Sequence, residues 1–275
     1  MLPRRDGPLR ADFLHVFAAE EIAARLGLVS REFQHGLLCG RLSPQIRAAL
    51  DGCAARITTV SPFAGDDADV LAGTALPFSR QFDLAVALGG LHTANDPVAR
   101  LGEIRGTLQP DGLFLGVAAA AGTLWELRDA LFEAETELTG GAGMRVAPFS
   151  DVRRWGDALA RAGFALPVSD EMGLTVRYSA LSALLDDLGG MGERGVLRQR
   201  TAAPKELFRV AEEVYRTRFS DPDGRLRASF SFAFLSGWAP HKTQQKAVKR
   251  GSASMRLEDA LNAVDGGARK EPDGD

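Results

Sequence analysis

The chain of 275 residues holds only 2 cysteines. Neither Cys39 nor Cys53 belongs to a CxxC pair, which argues against a disulfide framework and fits a reducing compartment. No apolar run approaches the ~20 residues needed to cross a bilayer. The first ten residues are basic but no apolar segment follows them, so no secretory signal is read there. The 4 histidines, His15, His35, His92 and His241, are scattered without HxH or HxxxH spacing. No metal site is therefore expected, and no iron triad of two histidines and a carboxylate is readable. Neither sign of charge dominates: the net charge of -3 gives no general reason to expect nucleic acid or an anionic membrane as partner. A phosphate-binding P-loop and a G-x-S-x-G elbow are also missing. What remains, 45% hydrophobic and 25% charged residues, is the composition of an ordinary globular domain with a substantial core.

Periodicity along the chain reads as alternating helices and strands. Residues 12–28 form a first helix, with Phe13, Val16, Phe17, Ala24 and Leu28 as its apolar face and Gly27 as its stop. The apolar stretch 33–39 leads to Gly40 and a short helix carrying Ile46, Ala49 and Leu50, and 57–60 is a β-branched strand. Residues 82–88 are an almost continuous apolar run, the pattern of a central parallel strand buried on both faces. A helix at 97–108 follows, capped by Asp96 ahead of Pro97, then a turn at 110–112 and a second buried strand at 113–117. Strand, helix and strand in this order make a right-handed βαβ unit. Thr123 and Glu126 form a capping-box pair for a helix at 123–138, and Ser150 caps a helix ending at Gly163. Strands are expected at 164–168 and 174–178, helices at 179–188 and 205–218, and a long final strand at 227–238 with Phe230, Phe232 and Phe234 on one face. From residue 241 the chain changes character: a basic stretch at 242–256 without acids, then a polar, Gly-rich end, read as a flexible tail at 241–275.

Four segments carry a resemblance. They are LPFSRQFDLAVALGGLHTANDPVARLGEIRGTLQPDGLFLG (76–116), GTLWELRDALFEAETEL (122–138), RVAPFSDVRRWGDALARAGFALPVSD (145–170) and LLDDLGGMGE (184–193). Together they resemble the class I S-adenosylmethionine (SAM) methyltransferase superfamily, in its complex I assembly branch of methyltransferase-like arginine hydroxylases. They are more distantly similar to the malonyl-carrier-protein methyltransferase of biotin synthesis. The resemblance covers roughly 76–240. It implies a Rossmann-like α/β fold over 1–240, with a seven-stranded, mostly parallel sheet closed at one edge by a C-terminal hairpin. Helical cover elements at about 123–145 and 179–220 would lie over the strand ends, where ligands bind in such sheets. It further implies His92 as a general base facing the transferable group, and Trp125, Arg128, Arg177, Tyr178 and Glu193 as substrate-side residues. A plainer reading of each stands beside this: His92 and Asn95 build a strand-to-helix turn, Trp125 packs, Glu126 caps, and Arg128, Arg177 and Glu193 solvate a surface.

The cofactor turn departs from the family pattern. In the superfamily an acid and then G-x-G-x-G follow the first strand, because the backbone must approach the ligand where a Cβ would intrude. Here 35–42 reads HGLLCGRL: Gly36 stands in place of the acid, Leu38 and Leu42 in place of glycines, and only Gly40, flanked by Cys39 and Arg41, matches. No carboxylate follows the second strand at 59–62, and none precedes Leu76 and Phe78 in the third loop, unless Asp66, Asp67 or Asp69 substitutes. Each lost charged hydrogen bond costs about 1.5–3 kcal/mol. Two leucines in the turn would also occupy the ligand's space, so SAM binding and unaided methyl transfer are not expected. The leading reading is a degenerate, methyltransferase-like complex I assembly factor acting on or holding a protein subunit of the respiratory complex. An active SAM-dependent methyltransferase of a protein side chain, carrier protein or small molecule is the alternative. The compartment is the cytoplasm, or the matrix if organellar, with membrane association only through the partner.

Overall fold

A computed structural model of the chain describes residues 12–62, 68–71, 75–197, 202–242 and 244. The chain divides into two units, Met1–His241 and Lys242–Asp275. Apart from Lys242 and Gln244, the expected tail lies outside the described residues. The first unit runs α1 (Phe13–Leu26), β1 (His35–Gly40), α2 (Pro44–Ala49), β2 (Arg56–Ser61), β3 (Val70–Leu71), β4 (Phe82–Leu88), α3 (Pro97–Thr107), β5 (Leu108–Ala119), α4 (Trp125–Thr139), α5 (Val152–Arg161), β6 (Ala165–Tyr178), α6 (Leu181–Met191), α7 (Leu207–Phe219) and β7 (Leu226–Trp238). The strands pair in the order β3-β2-β1-β4-β5-β7-β6. β1 to β5 are parallel, and β7 lies antiparallel between β5 and β6. The sheet is therefore mixed. Six of its members are strands of ordinary length, and the β3 edge is a two-residue pairing, which corrects the expectation of seven full strands.

Every residue of β4 is buried, as its apolar run requires. Its one acid, Asp83, accepts hydrogen bonds from the backbone N–H groups of Gln34 (2.7 Å) and His35 (2.9 Å), which tie the start of β1 to β4. Alternation along the strands splits the core into two layers. Leu38, Leu84, Val86 and Leu88 face α1, α2 and the cover helices, whereas Leu37, Cys39, Ala85, Ala87 and Phe114 face α3 and α5.

Several local expectations change. The buried face of α1 is Leu14, Ala18, Ala19, Ile22 and Leu26, while Leu28 is 85% exposed. Phe13, Val16 and Phe17 are only partly buried and pack along the side of that face. The expected turn at 110–112 is absorbed into β5 as an irregularity, with Asp111 at φ 64 and its N–H bonded to the Ala239 carbonyl at 3.0 Å. The two strands expected at 164–178 are one, β6: an edge strand exposes polar residues on its open side, and the sequence there reads as a loop. α5 is capped by Asp151, which accepts from Arg154 N at 2.8 Å; the Ser150 carbonyl accepts from Ala121 N instead. α6 runs through Gly189 and Gly190 to Met191 and stops at the left-handed Gly192.

The expected capping box at 123–126 does not form. α4 starts from Leu124 at φ 54 without a side-chain cap. Thr123 and Glu126 reach sideways to β7 instead. The Thr123 hydroxyl donates to the Ser231 carbonyl (2.9 Å) and accepts from Ser231 N (3.0 Å). Glu126, 2% exposed, accepts from Ser229 N (3.1 Å) and the Ser229 hydroxyl (2.5 Å). These bonds fix the first turn of the cover to the sheet. Glu126→Ala strands both Ser229 donors in a dry site, and the expected loss is about 1.5–3 kcal/mol of unfolding free energy, read as a lower urea midpoint at unchanged m-value. A midpoint within error of the unaltered chain would show that the anchor contributes nothing.

Candidate functional site

The end of β1 is the place where the superfamily holds its cofactor, and here it is filled. Gly40 has φ 137 and pairs with Leu88, and a Cβ on it would lie 2.1 Å from the Leu88 carbonyl oxygen. Glycine is thus required by the approach of two strands, whatever binds nearby. Leu38 and Leu42 are each 3% exposed and sit in one apolar cluster with Ile22 of α1 and Ile46 of α2. Between them Cys39 faces the other layer, and burial pushes its thiol up to about 12, far from a reactive thiolate. Arg41 is buried, and Ser43 closes the turn by capping α2, accepting from Ile46 N at 3.3 Å.

The acids that could substitute do not reach this turn among the described residues. The Asp69 carboxylate accepts from the Thr59 hydroxyl and N–H, both at 2.7 Å, bonds that hold it below its ordinary pKa and commit it to the sheet edge. Asp66 and Asp67 lie outside the described residues. Leu76 is buried with its N–H donated to Glu103, and Phe78 packs edge-on against Phe82 at 5.2 Å. The described residues of this turn do not fit SAM: two core leucines take the space beside Gly40, and Ser61 ends β2 where a ribose-binding carboxylate belongs.

The opposite half of the same strand ends is open. A cavity of about 310 Å³ lies over the carboxyl ends of β4 and β5, between α1, α4, α6, α7 and β7. Leu14, Leu127, Leu131, Leu188, Phe230 and Phe232 wall it, and Met144, Val196 and Phe208 stand exposed around its lining. Its polar members include His15, His92, Glu193, Arg145 and Arg194.

His92 and Glu193, which lie 101 positions apart, meet here, His92 Nε2 to Glu193 Oε2 at 3.1 Å. The Ala119 N–H points at His92 Nδ1 at 3.4 Å, so Nδ1 is the acceptor and the proton sits on Nε2, donated to the carboxylate. In this arrangement both ring nitrogens are engaged, and the lone pairs left for a ligand are on Glu193. Burial pushes the Glu193 pKa up, but the hydrogen bond and polar field of the His92 ring beside it, with Arg41 beyond, outweigh it and hold the carboxyl below its ordinary value. His15 goes the other way. Burial first, then Arg41 and His92, depress its pKa against the opposing pull of Glu193 and Asp12, and its Nδ1 has no hydrogen-bond partner among the described residues. It is a neutral imidazole. A second pair holds the wall: Glu135 accepts from Arg145 Nε at 3.0 Å and from Gly143 N at 3.1 Å, with a further bond from Arg145 Nη2. Among the described residues no group of three or more His, Cys, Asp or Glu is placed to hold a metal ion.

Of the residues singled out in the sequence, His92 and Glu193 line the cavity and the others do not. Trp125 packs edge-on against Phe219 at 5.1 Å. Arg128 is exposed beside Asp129, Arg177 pairs with Asp221 at 2.5 Å on β6, and Tyr178 is buried in the core. The sequence reading missed His15 and Arg145. His15 had a signal: it shares a helical stripe with Ala19, Ile22 and Leu26, a polar residue on a buried face.

No family model matches the chain. It is similar to the mitochondrial arginine-hydroxylase NDUFAF5 of Mus musculus, 33% identical over 270 residues that cover 92% of this chain and 78% of that protein. With NDUFAF5 of Dictyostelium discoideum it shares 34% over 180 residues, 65% of this chain and 41% of that protein; with the Rattus norvegicus protein it shares 36% over 192 residues, 69% and 56%. The chain thus spans about half the length of these two curated relatives. Among solved structures, the YcgJ protein of Bacillus subtilis superposes with a TM-score of 0.54 at 13% identity, covering 84% of this chain and 100% of that one. A candidate methyltransferase of Bacillus halodurans gives 0.52 at 13%, covering 81% and 99%. These likenesses show the class I methyltransferase fold.

The neutral state of His15 makes stability depend on pH. Its folded pKa lies below the ordinary 6.5, so below about pH 6.5 the unfolded chain binds the extra proton and the fold loses stability as pH falls. His35, also depressed by burial, adds to the same slope. His15→Gln is expected to flatten the fall in denaturation midpoint between about pH 7 and 5, leaving the His35 share. An unchanged slope in the variant would place the proton uptake elsewhere.

Proposed function

Because the chain belongs to the family of the arginine-hydroxylase NDUFAF5, we propose that it serves the assembly of respiratory complex I, acting on or holding a protein subunit of that complex. The observation that carries this reading is the similarity to the mouse protein along nearly the whole chain, 270 residues and 92% of its length. The filled turn supports a further part of it: the work is done without SAM in the ordinary cofactor position, from a methyltransferase-like scaffold whose working surface is the cavity over β4 and β5. There Glu193 is the proton-accepting group and His92 positions it, the reverse of the roles a sequence comparison suggests. The compartment follows the partner: the matrix side of an organelle, or the cytoplasm of a cell without one. No helix among the described residues is long and apolar enough to cross a membrane, so association with the membrane runs through the complex.

Deleting the gene is expected to lower the amount of assembled complex I on native gels, and the unaltered gene should restore it. Normal assembly in the deletion strain overturns the reading. Calorimetric titration of the purified chain with SAM should show no saturable heat up to ~1 mM, a Kd corresponding to only about -4 kcal/mol. Micromolar binding would reinstate the SAM-dependent alternative.

A further inference from the structure

β6 is the outer strand of the sheet, and among the described residues no strand pairs with its far side. Which of its backbone groups face outward follows from β7. Ser229 and Ser231 turn their N–H and C=O groups away from β6: those of Ser229 meet Glu126 and Leu124 N, and those of Ser231 meet Thr123 and Ala120 N. Successive residues of a strand point these groups in opposite directions, so Phe230 and Phe232 bond to their partners on β6, Leu174 and Met172. The alternate residues Glu171, Gly173, Thr175 and Arg177 therefore aim their N–H and C=O groups at the open edge.

We propose that this edge pairs antiparallel with the same edge of a second copy of the chain, about a two-fold axis at Leu174. The devices that deny an edge to other strands are confined to its start. They are Pro167, which has no N–H, and the irregular register between Ala165 and Val168, where Leu166 takes φ 49. From Ser169 to Tyr178 the strand is regular, without Pro, Lys or a bulge. A pairing centred on Leu174 uses 170–178 and stops at both ends where the unguarded stretch stops.

Charge selects this centre. Residues opposite each other in an antiparallel pair share a face, so in two-fold related strands their numbers are both odd or both even. The charges on the stretch are Asp170, Glu171 and Arg177. Leu174 is the one centre that sets opposite charges across from each other, with Glu171 facing Arg177 twice; a centre at Glu171 would set like charges together. Within one chain Glu171 accepts from the Ser231 hydroxyl and Arg177 donates to Asp221, and both side chains remain exposed at the edge. Such a pair contributes little energy in water and acts chiefly by fixing the register. The affinity comes from the backbone and the core face. Glu171 with Arg177 and Gly173 with Thr175, each pair formed twice and exchanging two bonds, supply about eight backbone hydrogen bonds. Met172, Leu174 and Val176 are only partly buried in one chain. The pairing lays Met172 against the partner's Val176 and Leu174 against its own copy, which closes an apolar row across the two edges. The dimer is a property of the purified chain and does not rest on the assembly role, so either can fail without the other.

Sedimentation of the purified full chain should show a monomer–dimer equilibrium with a Kd of about 10 µM or below. Thr175→Pro removes an outward N–H without touching the bonds to β7, and should weaken association at least about tenfold with the far-ultraviolet circular dichroism unchanged. The register is read by cross-linking in a Cys53→Ser background. Leu174→Cys would face its copy at about 4.5 Å between Cα atoms and should form an interchain disulfide on mild oxidation. Asp170→Cys would lie about 27 Å from its copy and should not. A chain still monomeric at about 200 µM overturns the proposal and leaves the edge to an extended segment of a different protein. A dimer undiminished in a folded Thr175→Pro chain overturns it too, as does Asp170→Cys cross-linking as readily as Leu174→Cys. If the proline variant does not fold, the cross-linking pair decides alone.

Discussion

The approach of the last residue of β1 to the Leu88 carbonyl is the constraint on which the rest of this structure depends. Two parallel strands converge there so closely that the position admits no Cβ, and Gly40 takes a positive φ to allow it. That approach sets the register of β2, β1 and β4, and the register decides which face each side chain of HGLLCG meets. Leu37 and Cys39 go to the α3/α5 layer and Leu38 to the α1/α2 layer. In a cofactor-binding turn the residues flanking this glycine would be bare. Here Leu38 and Leu42 continue the hydrophobic core up to the mouth of the sheet, and the glycine survives for the sake of the strands.

The consequence is a division of labour across the strand ends. On the β1 side, α1 and α2 close on an apolar core that includes Leu38 and Leu42. On the β4/β5 side a carboxylate remains in a largely apolar enclosure, and a lone buried charge is costly unless it is paired and hydrogen-bonded. Glu193 meets that requirement through His92 and the more distant Arg41. Burial lowers the pKa of His15 beside it.

Much of this was legible in the sequence, and the failures share a cause. The buried run 82–88 announced the central strand, and Asp96 with Pro97 announced the start of α3, because both depend on local pattern and are satisfied locally. The leucines at 38 and 42 were expected to project into the ligand's space beside Gly40, whereas they lie in the apolar core with Ile22 and Ile46. The capping box failed because Thr123 and Glu126 have the right spacing for a local bond but find better partners in Ser231 and Ser229, more than a hundred residues away. The α1 face failed because Phe13, Val16 and Phe17 outweighed the neighbouring stripe of Leu14, Ala18, Ile22 and Leu26, beside which His15 lies. The pairing of His92 with Glu193 spans 101 positions and crosses six elements of the fold. No spacing rule reaches that far. Arg128 and Arg177 stood out by residue type alone, and type is a poor guide where an acid such as Asp129 or Asp221 is near enough to pair.

The persistence of the cover helices bears on function less directly than their position suggests. A cover retained over the strand ends could be taken as a sign that chemistry continues beneath it. Yet Leu127, Ala130, Leu131 and Ala134 of α4, Leu184 and Leu188 of α6, and Val210, Ala211 and Tyr215 of α7 belong to the same apolar cluster as Leu38 and Leu42. Removing the cover would expose that cluster, so the fold alone is sufficient reason to keep it. What the core does not require is the carboxylate of Glu193 set against His92 inside an enclosure that apolar side chains could have filled, since replacing a buried polar pair by packed hydrophobic residues is often neutral or stabilising. The pair therefore stands over the strand ends, beside the cavity, for a reason other than the packing of the core.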